Sequence, residues 1–375
     1  MKKNIIKLYA YMQNNLGDDL MVKILLERYP NYIFYYDTDY SKSDKFLKYE
    51  NFINKNYIYQ KWGRINHVLN ILTFYKKKDF FFTGIFKFLS KKACCSVYIG
   101  GSLYMQFLDQ DIKERVKEEE KKLEISPLFI IGANFGPYFD KEFKNYFYEY
   151  FERCGGVTFR DKVSYKLFEE IPQVSFAPDV VFNIGEEKLS KEEIVIISVI
   201  DVTNAGKIFG LDRNKVNYEY TNFIVDVCEN SLRQGKIPYL VSFCETEGDE
   251  NAVEKIKNMI SKSNREKVKT VFYKDHIEEI VGLFQKADFV IATRFHAMIL
   301  AMKLEKPYFA IAYNSKMVNV LQDVHSNAYC KIEDIGQYRT INIFEEYNNR
   351  YELSNYTKNA IKQFEQLDCF LKTID

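Results

Sequence analysis

The segment Ile291-Ala292-Thr293-Arg294-Phe295-His296-Ala297-Met298-Ile299-Leu300-Ala301 sets a guanidinium and an imidazole two residues apart, where an apolar run gives way to a helical pattern. A helix start there offers unpaired N–H groups and the positive end of the helix dipole, both of which attract anions. An arginine and a histidine added to it make an anion site that can also donate a proton. Two cations at such an end are costly without a balancing anion, which favours a ligand over a purely structural role. Tyr313-Asn314-Ser315-Lys316 follows the next apolar run and offers Lys316 either to the same anion or to solvent.

Other turns carry weaker chemistry. In Phe159-Arg160-Asp161-Lys162, Arg160 ends an apolar run and suits bidentate contact with a carboxylate or phosphate; a structural pair with Asp161 is the alternative. In Asn14-Asn15-Leu16-Gly17-Asp18-Asp19-Leu20, Gly17 permits a tight turn. Asp18 or Asp19 then caps the following helix, or orients or deprotonates a substrate hydroxyl. Ile99-Gly100-Gly101-Ser102-Leu103 lets backbone amides approach a ligand closely, and Ser102 caps a helix or binds an anion. Ile131-Gly132-Ala133-Asn134-Phe135-Gly136-Pro137 repeats the pattern, and Asp179 in Ala177-Pro178-Asp179 serves a site or anchors a turn. None of these turns is a GxGxxG dinucleotide fingerprint. His67 and His325 read as surface or packing residues, and His276 as a helix-start residue.

What positions these residues is an alternation of short apolar runs with helical patterns along nearly the whole chain, the mark of parallel α/β units. Strands are expected at Ile5 to Ala10, Tyr32 to Tyr36, Ser96 to Ile99, Leu128 to Gly132, Gly156 to Phe159 and Val174 to Phe176. A second series begins at Ile194 to Ile200 and continues through Tyr239 to Phe243, Thr270 to Tyr273, Asp288 to Ala292 and Pro307 to Ala312. The fold class is α/β, with two Rossmann-like domains facing a cleft. The charged run Glu186 to Glu193 separates the two series, so the domains are expected at 1–188 and 189–350. A last helix over Asn355 to Lys372, within 351–375, is expected to pack back on the first domain. Ligands gather at the carboxyl ends of strands in open parallel sheets, and every turn above lies at such an end.

A chain of 375 residues suits two ordinary domains, and 47% hydrophobic with 28% charged residues is a globular composition. The net charge of +1 gives no reason to expect nucleic acid. The 7 cysteines are scattered without metal-ligand spacing and read as free thiols in a reducing cytoplasm. The start, Met1-Lys2-Lys3-Asn4-Ile5-Ile6, reads as a first strand, not a signal peptide, and no run approaches the roughly 20 apolar residues of a membrane span. Between Lys61 and Lys92 the cations Lys61, Arg64, Lys76, Lys77, Lys78, Lys87, Lys91 and Lys92 face only Asp79, interleaved with Trp62, Phe74, Tyr75, Phe80, Phe81, Phe82, Phe86 and Phe88. This segment suits peripheral contact with an anionic membrane surface; a buried aromatic helix with a solvated lysine face is the alternative.

Taken in order, the NNLGDDL, IGGSL, IGANFGP, FRDKVS, APDVVF and TRFHAMILAM pieces resemble the polysaccharide pyruvyl transferase family, over about residues 14–316. The resemblance implies a GT-B-like fold, as in two-domain glycosyltransferases that use nucleotide sugars, with phosphoenolpyruvate as co-substrate and no cofactor. It also implies a pyruvate ketal built on a sugar of a surface polysaccharide, such as a capsule or exopolysaccharide, or of its lipid-linked precursor. In relatives a separate arginine and an Arg-x-His segment contact the donor; by position these are Arg160 and Arg294-Phe295-His296. Ser102 stands where relatives often carry a further glycine.

The residue types fit that chemistry. Phosphoenolpyruvate carries a carboxylate and a phosphate, and Arg160, Arg294, Lys316 and the Gly100-Gly101-Ser102 turn are the expected donor contacts. His296 is expected to donate a proton or bind phosphate, and Asp18 or Asp19 to act as base. Asn15, Gly17, Asp18 and Asn134 are the expected acceptor contacts, and the scheme requires no metal. A nucleotide-sugar glycosyltransferase and a non-catalytic glycan-binding protein are the competing readings. The first lacks a visible base-and-ribose cluster, and the second does not need so much positive charge.

Overall fold

The computed structural model describes residues 4–38, 42–72, 80–107, 111–185, 187, 189–203, 213–339, 341–348 and 353–374. Phe74 to Asp79 of the basic stretch, with Glu186 and Lys188 of the charged run, lie outside them.

Two sheets form, and every strand pairing in both is parallel. The first holds β1 (Ile5–Ala10), β2 (Ile33–Tyr36), β3 (Phe52–Asn54), β4 (Ala93–Ile99), β5 (Leu128–Ala133), β6 (Gly156–Phe159) and β7 (Val174–Phe176). Their order is β3-β2-β1-β4-β5-β6-β7. The second holds β8 (Ile194–Val199), β9 (Ile237–Ser242), β10 (Lys269–Phe272), β11 (Phe289–Ala292), β12 (Tyr308–Ala312) and β13 (Tyr329–Lys331), in the order β10-β9-β8-β11-β12-β13. β5, β8, β11 and β12 are buried at every residue, as befits strands covered on both faces. That burial is why their sequences read as unbroken apolar runs and not as alternations.

In each sheet the strand order reverses beside the first strand, between β1 and β4 and between β8 and β11. Chain connections diverge at such a switch point, which leaves a crevice at the carboxyl ends. The turns after β1, β4 and β11 lie at the ends of these strands and are among those whose residue types carry chemistry.

The chain divides into two compact units. One comprises Met1–Gln13, Met21–Val180 and Ile361–Asp375; the other comprises Asn14–Leu20 and Val181–Ala360. The division thus falls at Val180/Val181 and not at 188/189, and the charged run belongs to the second unit. Its described residues from Leu189 to Glu193 are exposed, so the charge marks contact with water. The expected C-terminal helix is interrupted: helical turns at Ser354–Lys358 and Glu365–Leu371 flank a tighter 3-10 segment, Asn359–Phe364. That segment carries Gln363, which accepts from Gly132 N at 2.9 Å and donates to the carbonyls of Ala177 at 2.7 Å and Pro178 at 3.1 Å.

The two cores differ in kind. The first unit packs Tyr104, Phe135, Phe143, Phe147, Phe151 and Phe168 against one another, with Phe135–Phe168 and Tyr104–Phe147 ring centroids 4.8 Å apart. The second is mainly aliphatic, built on Val195, Ile197, Ile224, Ile256, Ile291 and Ile311 with a minority of rings such as Phe223 and Phe309.

Candidate active site

In the second unit, β11 runs into the helix Phe295–Lys303, and Arg294 is the residue at its cap, with extended backbone. The junction is held from below by Ser198 on β8, whose hydroxyl accepts from Thr293 N at 2.9 Å and Arg294 N at 3.0 Å. Tyr220 adds a hydrogen bond from its hydroxyl to Thr293 Oγ1 at 3.1 Å. These contacts fix the backbone from which Arg294 and His296 project.

The Arg294 guanidinium is bidentate on Asp249, with Nε to Oδ2 at 2.9 Å and Nη2 to Oδ1, while Nη1 pairs with Glu247. Asp249 is fully buried and also accepts from Phe243 N at 3.1 Å and Cys244 N at 3.0 Å, at the carboxyl end of β9. The anion that two cations at a helix start require is therefore supplied from within the chain. Burial works against the Arg294 charge, but Tyr313, Asp249 and Glu247 outweigh it and hold the guanidinium firmly protonated. Glu247 is 43% exposed, and although partial burial pushes its carboxyl up, Arg294 and Lys316 bring it below the usual range.

His296 is half-buried, edge-on to Phe295 with ring centroids 5.0 Å apart, and Lys316 Nζ lies 5.8 Å from the Phe295 ring. Its imidazole rests directly on Gly17, where an added Cβ would overlap Nδ1, Cε1 and Cγ. The turn after β1 is held in place by Leu16 N donating to Phe243 O at 2.9 Å and by an antiparallel bridge from Asn15 to Cys244. Asn14 takes a left-handed φ of 55° and donates to Glu245 Oε2 at 2.6 Å. The first turns of two helices, Leu16–Arg28 and Phe295–Lys303, thus meet at His296.

Neither aspartate caps its helix as expected. Asn15 does so, with Oδ1 accepting from Gly17 N at 3.1 Å, because the helix begins at Leu16, ahead of both aspartates. Asp18 and Asp19 sit in the first turn. Asp19 is fully buried and accepts the Tyr273 hydroxyl at 2.7 Å, whereas Asp18 is half-buried.

In the first unit the turns interlock at the carboxyl ends of β4 to β7. Arg160 is 1% exposed; Nη1 donates to Asp179 Oδ2 at 2.9 Å and Nη2 to Asn134 Oδ1 at 2.9 Å. Asn134 N donates to Gly101 O at 2.8 Å, and a Cβ on Gly101 would lie 2.6 Å from Arg160 Cζ and Nη1. Gly100, Gly101, Asn134, Arg160 and Asp179 are thereby brought together, with Ser102 half-buried in the same turn. Arg160 pairs with Asp179. Asp161 caps the next helix, taking Ser164 N at 2.9 Å and Ser164 Oγ at 2.8 Å.

The expected site residues therefore form two groups, one in each unit. Arg160, Gly100, Gly101, Ser102 and Asn134 belong to the first. Asn15, Gly17, Asp18, Asp19, Arg294, Phe295, His296 and Lys316 belong to the second. The turn after β1 lies within the expected domain span 1–188 but belongs to the second unit, through its bonds to Phe243 and Cys244. Ser198, Glu247, Asp249 and Tyr273 were missed. The acidic run Glu245-Thr246-Glu247-Gly248-Asp249-Glu250, directly after an expected strand, was the one available sign. His67, His276 and His325 are exposed and stand outside both groups.

Two all-parallel Rossmann-type units with chemistry-bearing turns at their switch points define a GT-B-like fold. The UDP-GlcNAc 2-epimerase of Methanocaldococcus jannaschii, in complex with UDP-GlcNAc and UDP, shares it at TM-score 0.56 and 11% identity, over 99% of this chain and 100% of that one. The Neisseria meningitidis UDP-GlcNAc 2-epimerase bound to UDP-GlcNAc does so at 0.54 and 11%, over 97% and 100%. Anabaena Alr3699/HepE in complex with UDP-glucose does so at 0.53 and 11%, over 100% and 99%. At such identities the likeness concerns the fold alone. No curated protein matches the sequence. The family model for polysaccharide pyruvyl transferase matches residues 15–315, and the chain belongs to that family.

Proposed function

We propose that the protein transfers a pyruvyl group from phosphoenolpyruvate to a sugar of a surface polysaccharide, or of its lipid-linked precursor, and closes it as a cyclic ketal. The observation that carries this reading is the setting of His296: two helix starts meet there, with Arg294 two residues away and Lys316 beside Phe295. Such a place favours an anion and holds a proton donor against it.

In this scheme His296 protonates the methylene carbon, which becomes the methyl group, and positive charge develops at C2. A sugar hydroxyl adds there and gives its proton to Asp18. The C2–O bond to phosphate breaks, a second hydroxyl closes the ring, and its proton leaves with the phosphate. Asp18 is preferred to Asp19 as base because Asp19 is fully buried whereas Asp18 is half-buried and so within reach of a substrate. Lys316 and Arg294 are assigned to the donor's charges, with Glu247 giving way to the incoming anion. Arg160, Asn134 and the Gly100-Gly101-Ser102 turn are the first unit's ligand-binding group, and Asn15 and Gly17 contact the acceptor.

Phosphate release from phosphoenolpyruvate, measured against galactosyl, mannosyl and N-acetylhexosaminyl acceptors, tests the reading. An acceptor-dependent rate that falls about 100- to 10,000-fold in His296→Gln is expected. Full activity in that variant overturns the proton-donor assignment. Thermal stabilisation by nucleotide sugars and none by phosphoenolpyruvate would move the protein to the glycosyltransferases.

A further inference from the structure

Two helices of the first unit, Lys55–Leu72 and Phe80–Lys92, contain no aspartate or glutamate, yet carry Lys55, Lys61, Arg64, Lys87, Lys91 and Lys92. They are anchored at one end: Ile58 and Phe82 are buried with Tyr35, and the Tyr59 and Phe82 rings meet at 4.2 Å. Beyond that anchor the Lys55–Leu72 helix turns large apolar side chains to water. Trp62 is 39% exposed, Ile65 44%, Val68 54% and Ile71 49%, and Phe88 on the second helix is 58% exposed. A surface helix normally turns such residues inward and its charges outward. Here both kinds share the exposed surface, and an apolar patch rimmed by charge marks an interaction site.

We propose that this helical pair docks the protein on the surface of an anionic lipid bilayer. The apolar side chains enter the boundary between headgroups and acyl chains, and the lysines and Arg64 reach lipid phosphates from the rim. A second copy of the chain is a poor occupant: a two-fold interface sets like patches face to face, which opposes six cations to six with no carboxylate in either helix. Nucleic acid is poorer still: beside the rings of Trp62 and Phe88, the exposed aliphatic side chains of Ile65, Val68 and Ile71 neither stack on bases nor pair with phosphate. No helix among the described residues is long and apolar enough to cross a membrane, so the contact is with the surface. A sugar acceptor carried on a lipid would be presented at that same surface. Lipid binding is nevertheless separable from the transfer reaction.

Trp62 is the only tryptophan of the chain, so its fluorescence reports on this face alone. The full-length protein is mixed with vesicles of phosphatidylcholine, with or without phosphatidylglycerol, and followed by co-sedimentation and emission. Binding at least about tenfold tighter to the anionic vesicles, weakened by salt, is expected, with a blue shift and quenching by brominated acyl chains. Ile65→Ser with Val68→Ser should abolish the shift, and Lys61→Glu with Arg64→Glu should remove the preference for anionic lipid. Both variants should keep the wild-type melting temperature and phosphate release on a water-soluble sugar. Absence of binding to anionic vesicles, binding without any change at Trp62, or a blue shift produced by dimerisation without lipid overturns the proposal. Lipid binding by a protein that releases no phosphate would leave the docking surface standing and remove the transfer reading alone.

Discussion

The imidazole of His296 occupies the space that a side chain on Gly17 would need. These two residues stand far apart in the chain, and each lies in the first turn of its own helix. The requirement for glycine here is steric: Gly17 is helical, and it is the ring above that excludes a Cβ.

Gly17→Ala should therefore act on chemistry more than on stability. Moving the imidazole costs about 1–3 kcal/mol as overpacking, whereas misplacing a proton donor by about an ångström costs on the order of 100-fold in rate. Denaturant melts and phosphate release on the same preparation separate the two effects. A fully active, correctly folded variant would show that His296 does not need this seat.

Gly101 has the corresponding relationship with Arg160, but the outcome differs. Arg160 is 1% exposed and tied to Asp179 and Asn134, so its guanidinium has nowhere to withdraw. Gly101→Ala should cost about 3–5 kcal/mol by parting a buried ion pair, read as a lowered denaturation midpoint. Asp179→Ala should match it, and Asp161→Ala should cost only about 1 kcal/mol, the value of a helix cap.

The two carboxylates on Arg294 are predicted to behave differently. Asp249→Ala strands a buried guanidinium and should destabilise by about 3–5 kcal/mol. Glu247 is 43% exposed, so Glu247→Gln should change stability by less than about 1 kcal/mol. That variant should nevertheless lower the KM for phosphoenolpyruvate, because Nη1 of Arg294 no longer needs to be won from a carboxylate. An unchanged KM would count against donor contact at Arg294.

Acid titration gives an independent reading of the same pair. The Glu247 carboxyl is depressed when folded, chiefly through Arg294, against the opposing effect of burial. Its contribution is therefore complete above the unfolded value of about 4.3 and is lost as pH falls through the lower folded one. Glu247→Gln should flatten that portion of the stability profile and leave the neutral range unchanged.

Asp18 and Asp19 should separate cleanly. Asp19→Asn and Tyr273→Phe both weaken a buried hydrogen bond and should cost about 1–3 kcal/mol with modest kinetic effect. Asp18→Asn should fold normally and lose about 100-fold or more in kcat as a missing base. The opposite pattern would exchange their roles.

The sequence shows most strands because burial on both faces leaves long apolar runs, as in Ile194–Val199. β3 and β13 are hidden from such reading. Each has 3 residues, ends in Asn54 or Lys331, and exists only through pairing at a sheet edge. The turns are visible for a related reason: glycine and charge stand out where a strand stops. Their partnerships are not. Arg160 invites pairing with adjacent Asp161, and nothing in the spacing shows that it binds Asp179 or that Asp161 is drawn to the free N–H groups of the next helix. Arg294 reads as a cation awaiting a ligand because Asp249 is 45 residues distant in the chain and no periodicity links them.

The interleaving of the two units constrains how the protein is made. Asp19 meets its partner Tyr273 across 254 residues of chain, and Gly132 meets Gln363 across 231. An emerging polypeptide completes neither unit in the order in which it leaves the ribosome. The second waits for its later strands before it can take up the turn at Gly17, and the first waits for the tail beyond Ile361. A fragment cut at Val180 would contain all seven strands of one sheet and still lack its closing piece, and the remainder would carry His296 without its floor. Translation products that stop before Ile361 should therefore be both inactive and open to proteolysis, so that competence arrives only once residues 361–375 have been made.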